Sequence, residues 1–134
     1  MNIIVCIDDK FGMLFNKRRQ SRDSNVIKDI EKITKELWIS PFSEALFYDS
    51  SCSINSDKDF LDKAGKNEYC FVETNTVSPY ISKVEQIIVY KWNRNYPSDF
   101  QFDVLLENWV LIDKKDFVGT SHEKITRETY VRGR

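Results

Sequence analysis

The chain has 134 residues and a formal net charge of −1, with 41% hydrophobic and 31% charged side chains. That is the size and balance of one domain folded around one core, and it excludes a global electrostatic pull toward nucleic acid or an anionic membrane. No apolar run approaches the roughly 18 residues of a membrane span, and Met1 leads straight into a strand-like run with no basic leader, so a cytoplasmic protein without a signal peptide is expected.

Residues 2–7, NIIVCI, form a short β-branched run ended by Asp8 and Asp9, the pattern of a buried strand. The next stretch, GMLFNKRRQSRD, carries Lys17, Arg18, Arg19 and Arg22 and reads as a flexible basic loop. Ser24 or Asn25 is positioned to cap a helix in which Val26, Ile27, Ile30 and Ile33 share one face. A second strand is expected over 37–40, followed by a helical turn opening at Pro41. Residues 50–55 are weakly strand-like. Residues 56–65 predict a short helix capped by Ser56 and stopped by Gly65.

Strands follow at 68–73 and 84–92, with a short helix over 77–81 between them and a loop at 93–99. The runs FQFDVLL and WVLIDKKDF predict two more strands joined onward by VGTS. Residues 121–132 are ambiguous: Thr120 with Glu123 resembles a capping box, whereas Ile125, Thr129, Tyr130 and Val131 favour a strand. Strand and helix alternate in the first half, and antiparallel strands dominate the last third. The fold class is therefore α/β, a single mixed sheet with helices on both faces, in one domain over 1–134. Cys6, Cys52 and Cys70 are odd in number and match no metal or redox spacing, so reduced thiols are expected.

The order of these elements, and the residues on them, resemble the dihydrofolate reductase family. IDDKFG, with Asp8, Phe11 and Gly12, is similar to the end of the family's first strand, and Asn16 to an asparagine in its mobile loop. SDKDFLDKAGKNEYCFVET looks like its segment of short helix, linker and central strand. YISKVEQIIVY looks like its long strand, and SDFQFD like its Gly-Asp-Thr-x-Phe-Pro motif. Trp109, Phe117, Ser121, His122, Tyr130 and Arg132 follow in the family's order. The resemblance implies a cleft bordered by Ile4, Phe11, Val26, Ile30, Val72 and Tyr90.

The residues that such a reductase needs are replaced. Glu73, Thr74 and Asn75 stand where the family has a Gly-Gly pair that admits a pyrophosphate. Ser40 and Pro41 replace its Gly-Arg motif, and the region that holds the adenosine end of the cofactor is shortened. Val26 falls near the position of the family's catalytic acid, and Tyr90 replaces the threonine that supports it. Asp23 and Glu73 remain as candidate catalytic carboxylates.

The resemblance and its departures together imply a degenerate domain that binds a protein partner or a small anionic ligand. Lys17, Arg18, Arg19 and Arg22 are the candidate contacts. No cofactor, metal or nucleic acid is expected. The alternative is an NAD(P)H-dependent reductase with a rearranged site, acting on a pterin-like or carbonyl substrate and taking NADPH. His122, the only histidine, sits beside Ser121, but neighbours in a strand face opposite ways and cannot form a dyad. Asp99, in SDFQFD, is expected to fix loop conformation.

Overall fold

The computed structural model describes residues 1–133. In chain order it forms β1 (Asn2–Ile7), β2 (Gly12–Phe15), β3 (Arg18–Arg19), α1 (Ser24–Ile33) and β4 (Glu36–Ile39). A 3-10 helix over Pro41–Phe47 follows, then β5 (Ser53–Ser56), α2 (Phe60–Lys63), β6 (Tyr69–Phe71) and a 3-10 helix over Ser78–Lys83. The chain continues with β7 (Gln86–Lys91), β8 (Phe100–Gln101), a 3-10 turn at Leu106–Asn108, β9 (Trp109–Phe117) and β10 (Ile125–Arg132).

Seven strands make one sheet in the order β5-β4-β6-β1-β7-β10-β9. The first five are parallel neighbours, and β10 and β9 run antiparallel. β1 lies between β6 and β7, so both of its faces need covering. Ile3, Val5 and Ile7 pack on one face with Phe60 and Leu61 of α2. Ile4 packs on the other with Val26 and Ile30 of α1 and Phe47 of the 3-10 helix. That two-sided burial is why NIIVCI is apolar without alternation. No helix among the described residues is long and apolar enough to cross a membrane.

Several expectations shift in detail. Asp23 caps α1, its side chain accepting from the Asn25 amide at 3.0 Å, rather than Ser24 or Asn25. α2 begins at Phe60 because Ser56 is still a strand residue, paired with Ile39. Of FQFDVLL, Phe100 and Gln101 alone form a strand. Asp103 leaves the ladder and takes the Val77 and Ser78 amides at 2.8 and 3.0 Å. Residues 121–124 are loop and 125–132 are strand, which resolves the ambiguous segment.

The basic stretch is a β-hairpin rather than a flexible loop. Leu14 pairs with Arg19 and Phe15 with Arg18, and β2 also pairs with β8. Asn16 and Lys17 form the turn with φ of 50° and 62°, the left-handed pair that a two-residue hairpin loop requires. The Asp99 carboxylate accepts from the Asn16 amide at 3.1 Å, the loop-fixing role expected of it. Gly12 is required by close approach: a Cβ there would lie 2.5 Å from the Gln20 amide nitrogen and 2.7 Å from Ser98. Lysine is strained at φ 62°, so Lys17→Gly is expected to raise stability by up to about 1 kcal/mol. A thermal melt checks this, and a loss of stability would contradict the hairpin.

Candidate functional site

Two polar clusters lie where the first hairpin and the N-terminus of α1 meet the sheet. The first is built on Asp23. Its Oδ1 accepts from the Asn25 and Thr120 amides at 3.0 and 2.9 Å and from the Thr120 hydroxyl at 3.0 Å. Its Oδ2 accepts from the Ser121 amide at 2.9 Å and the Ser121 hydroxyl at 3.2 Å, and lies 3.0 Å from His122 Nδ1. Burial alone would raise this carboxyl. The amides of Ser121, Thr120 and Asn25, together with His122, overcome that and hold it far below the usual aspartate range. Gly119 is needed beside it, since a Cβ there would come within 2.4 Å of Asp23 Oδ2.

His122 completes this cluster. Its Nε2 lies 3.0 Å from Ser21 Oγ and 3.1 Å from the Tyr96 hydroxyl. Its ring stacks on Trp92 with centroids 4.6 Å apart and planes at 21°. The alternation argument against a Ser121–His122 contact does not apply, because 121–124 is loop. Ser121 Oγ lies 3.1 Å from His122 Nδ1.

The second cluster is built on Glu73, which is buried just beyond the end of β6. Arg19 donates to both of its oxygens at 2.9 Å through Nε and Nη2, a bidentate pair. The Ser43 hydroxyl donates to Oε1 at 2.7 Å. The Arg19 guanidinium also sits 4.8 Å from the centroid of Phe42. Ser43 and Glu73 stand in the two segments that the family resemblance links to the cofactor phosphates, and here they are bonded to each other.

Two spaces adjoin the Asp23 cluster. A cavity of about 20 Å³ is bordered by Cys6, Val26, Ile27, Leu46, Phe71 and Trp92, among others, room for one water at most. Burial pushes the Cys6 thiol well up, with Glu73 adding to the effect. Outside it, an open cleft of about 760 Å³ runs between α1 and Ala45–Ser50. Ser21, Ile27, Lys28, Leu46 and Tyr48 are among its walls.

Of the six residues expected to border a cleft, Val26 alone borders the small cavity. Ile4, Ile30 and Tyr90 are enclosed in the core on that face. Val72 is enclosed on the opposite face, and Phe11 is packed there beside the hairpin. Tyr90 donates to Asp29 at 2.7 Å, and Arg127 meets the same carboxylate at 2.8 Å. Among the four cations, Arg19 is committed to Glu73, while Lys17, Arg18 and Arg22 are exposed. Ser21 and Tyr96 had no sequence signal, and Thr120, read from sequence as a capping-box residue, instead donates to Asp23. Nearly 100 residues separate Asp23 from His122, and only the sheet order brings them together. No cluster of three or more metal-ligating side chains occurs among the described residues.

No family model and no curated protein matches this chain. Among solved structures, it is similar to a dihydrofolate reductase from Enterococcus faecalis complexed with NADP(H) and RAB-propyl. The two share 12% identity with a TM-score of 0.68, over 100% of this chain and 97% of that one. The fold is therefore dihydrofolate-reductase-like, at a sequence distance where likeness speaks for the fold alone.

Proposed function

We propose that this chain keeps the dihydrofolate-reductase-like scaffold but binds a small anionic ligand or a protein partner instead of transferring hydride. The Glu73 cluster carries the reading. A pyrophosphate needs glycine backbone and positive potential. The corresponding place here holds a buried carboxylate bonded to Ser43 and closed over by Arg19. These residues do not fit a nicotinamide dinucleotide.

The small volume of the inner cavity supports the same reading for a pterin. About 20 Å³ is far below the roughly 300 Å³ of the smallest ordinary ligand pockets. The reductase alternative would use Asp23 or Glu73 as the acid, yet both are spent on internal partners. The outer cleft has the right size for a small ligand, and its walls carry Arg22 and Lys28 together with Glu31 and Asp49. Lys17 and Arg18 are exposed on the hairpin as further cationic contacts. The near-neutral total charge makes nucleic acid a poor partner.

Titration with NADPH tests the proposal. A cofactor bound at 10 μM and added at 1 mM would stabilise by about 2.7 kcal/mol, which raises Tm by several degrees. The expected shift is under about 1 °C, with no quenching of tryptophan fluorescence. A shift of several degrees would overturn the loss of cofactor binding.

A further inference from the structure

The outer cleft ends at a serine set against a histidine and a buried carboxylate. Ser21 Oγ is 3.0 Å from His122 Nε2, and His122 Nδ1 is 3.0 Å from Asp23 Oδ2. These three groups stand in the order used by serine hydrolases on unrelated folds, recognised by geometry rather than chain position. Asp23 accepts from five other donor groups besides the imidazole, so it stays ionised and does not rotate. An ionised Oδ2 can only accept from Nδ1, which places a proton there, so the neutral imidazole turns its Nε2 lone pair toward Ser21. The stack on Trp92 holds the ring in that orientation.

Access and placement agree with this. Asp23 and His122 are buried, while Ser21 is half-buried and borders the open cleft. Among the described residues neither the Ser21 nor the Arg22 backbone amide donates to a protein acceptor. The amide that follows a nucleophile is one that hydrolases use to hold an oxyanion. Ile27, Ala45, Leu46 and Tyr48 give the cleft an apolar wall suited to an acyl chain.

We propose that Ser21 is the nucleophile of a carboxylic-ester hydrolase, with His122 as its base and Asp23 as the residue that positions His122. Ser21 Oγ bonds to the ester carbonyl carbon as its proton passes to His122 Nε2. The carbon–oxygen bond to the leaving group then breaks, and His122 returns the proton to the departing alcohol. Water adds to the acyl-serine, giving one proton to His122. The serine–acyl bond breaks, the acid leaves, and that proton restores Ser21. Ester and water become acid and alcohol, with no other reactant. The Tyr96 hydroxyl competes with Ser21 for Nε2, so the site works when Tyr96 turns away or when substrate displaces it.

This inference goes beyond the binding proposal: it shares the outer cleft with that reading but does not depend on the loss of cofactor binding. The whole chain is incubated with an alkyl fluorophosphonate, and intact mass and peptide mapping are followed. One adduct per chain is expected, on Ser21, formed as the serine–phosphorus bond replaces phosphorus–fluorine. p-Nitrophenyl butyrate is expected to release a burst of about one nitrophenol per chain, the stoichiometry of one acyl-enzyme. Both signals should fall at least about 100-fold in Ser21→Ala and in His122→Gln. Circular dichroism checks that each variant is folded, and Ser21, being half-buried, tolerates the change if His122 does not. No adduct on Ser21, no burst, or labelling of folded His122→Gln at the unaltered rate overturns the proposal. A chain that takes no label and binds no NADPH keeps the binding reading and loses this one. A chain that labels on Ser21 and binds NADPH does the reverse.

Discussion

Replacing Asp23 with alanine is expected to cost about 3–5 kcal/mol of stability, the range for stripping a buried, fully bonded charge of its role. The α1 cap accounts for about 1 kcal/mol. The remainder comes from the Thr120 and Ser121 amides and His122, which lose their acceptor together. In a chain of this size Tm should fall by roughly 10–20 °C, and a fall of under about 3 °C would show that the cluster is not a structural clamp. Asp23→Asn keeps the cap and should lose about half as much.

The pH arm of that experiment has a definite sign. The folded-state carboxyl is held below its unfolded value of about 3.9. Its contribution is complete above that value and is lost as the pH falls below it. Urea midpoints of the unaltered chain should therefore drop on acidification below about pH 4. Those of Asp23→Asn should drop less. Equal slopes in the two proteins would remove Asp23 from the acid response.

Breaking the second cluster gives the other large effect. Arg19→Ala strands the Glu73 carboxylate in the interior, at a cost of about 3 kcal/mol. The value sits at the low end for a buried pair because Arg19 keeps 21% of its side chain exposed. Removing the charge on both sides should recover much of the loss, so Arg19→Met with Glu73→Gln is expected to be more stable than Arg19→Ala alone. Glu73→Gln also keeps an acceptor for Ser43. Denaturant unfolding of the three proteins checks the order. If the double variant is the least stable, the pair is a net stabiliser rather than a device that closes the site.

These clusters mark the limit of what the sequence made legible. β1, β7 and the apolar face of α1 follow from residue pattern alone, because NIIVCI and QIIVYK are buried whatever surrounds them. The hairpin was missed because Asn16-Lys17 lacks the glycine that announces such a turn, and the Asp99 cap comes from 83 residues away. Arg19 read as a free cation because its partner lies 54 residues on, at a strand end. Asp23 was noticed as a carboxylate, but its loop partners at 119–122 are brought to it only by the placement of β10 beside β7. Local pattern specifies elements, whereas a site assembled from four segments is specified by topology.

That placement also governs how the chain reaches its structure. The capping carboxylate of α1 is near the N-terminus, and most of its donors lie at 120–122. β7 has one edge open until 125–132 arrive to pair with it. A chain emerging from the ribosome can therefore assemble the parallel half early while Asp23 lacks most of its donors and one edge of β7 stays open. Contacts this distant in sequence slow the search and lengthen the exposure of that edge. Residues 118–132 are therefore expected to close the fold last, bonding helix and sheet at once.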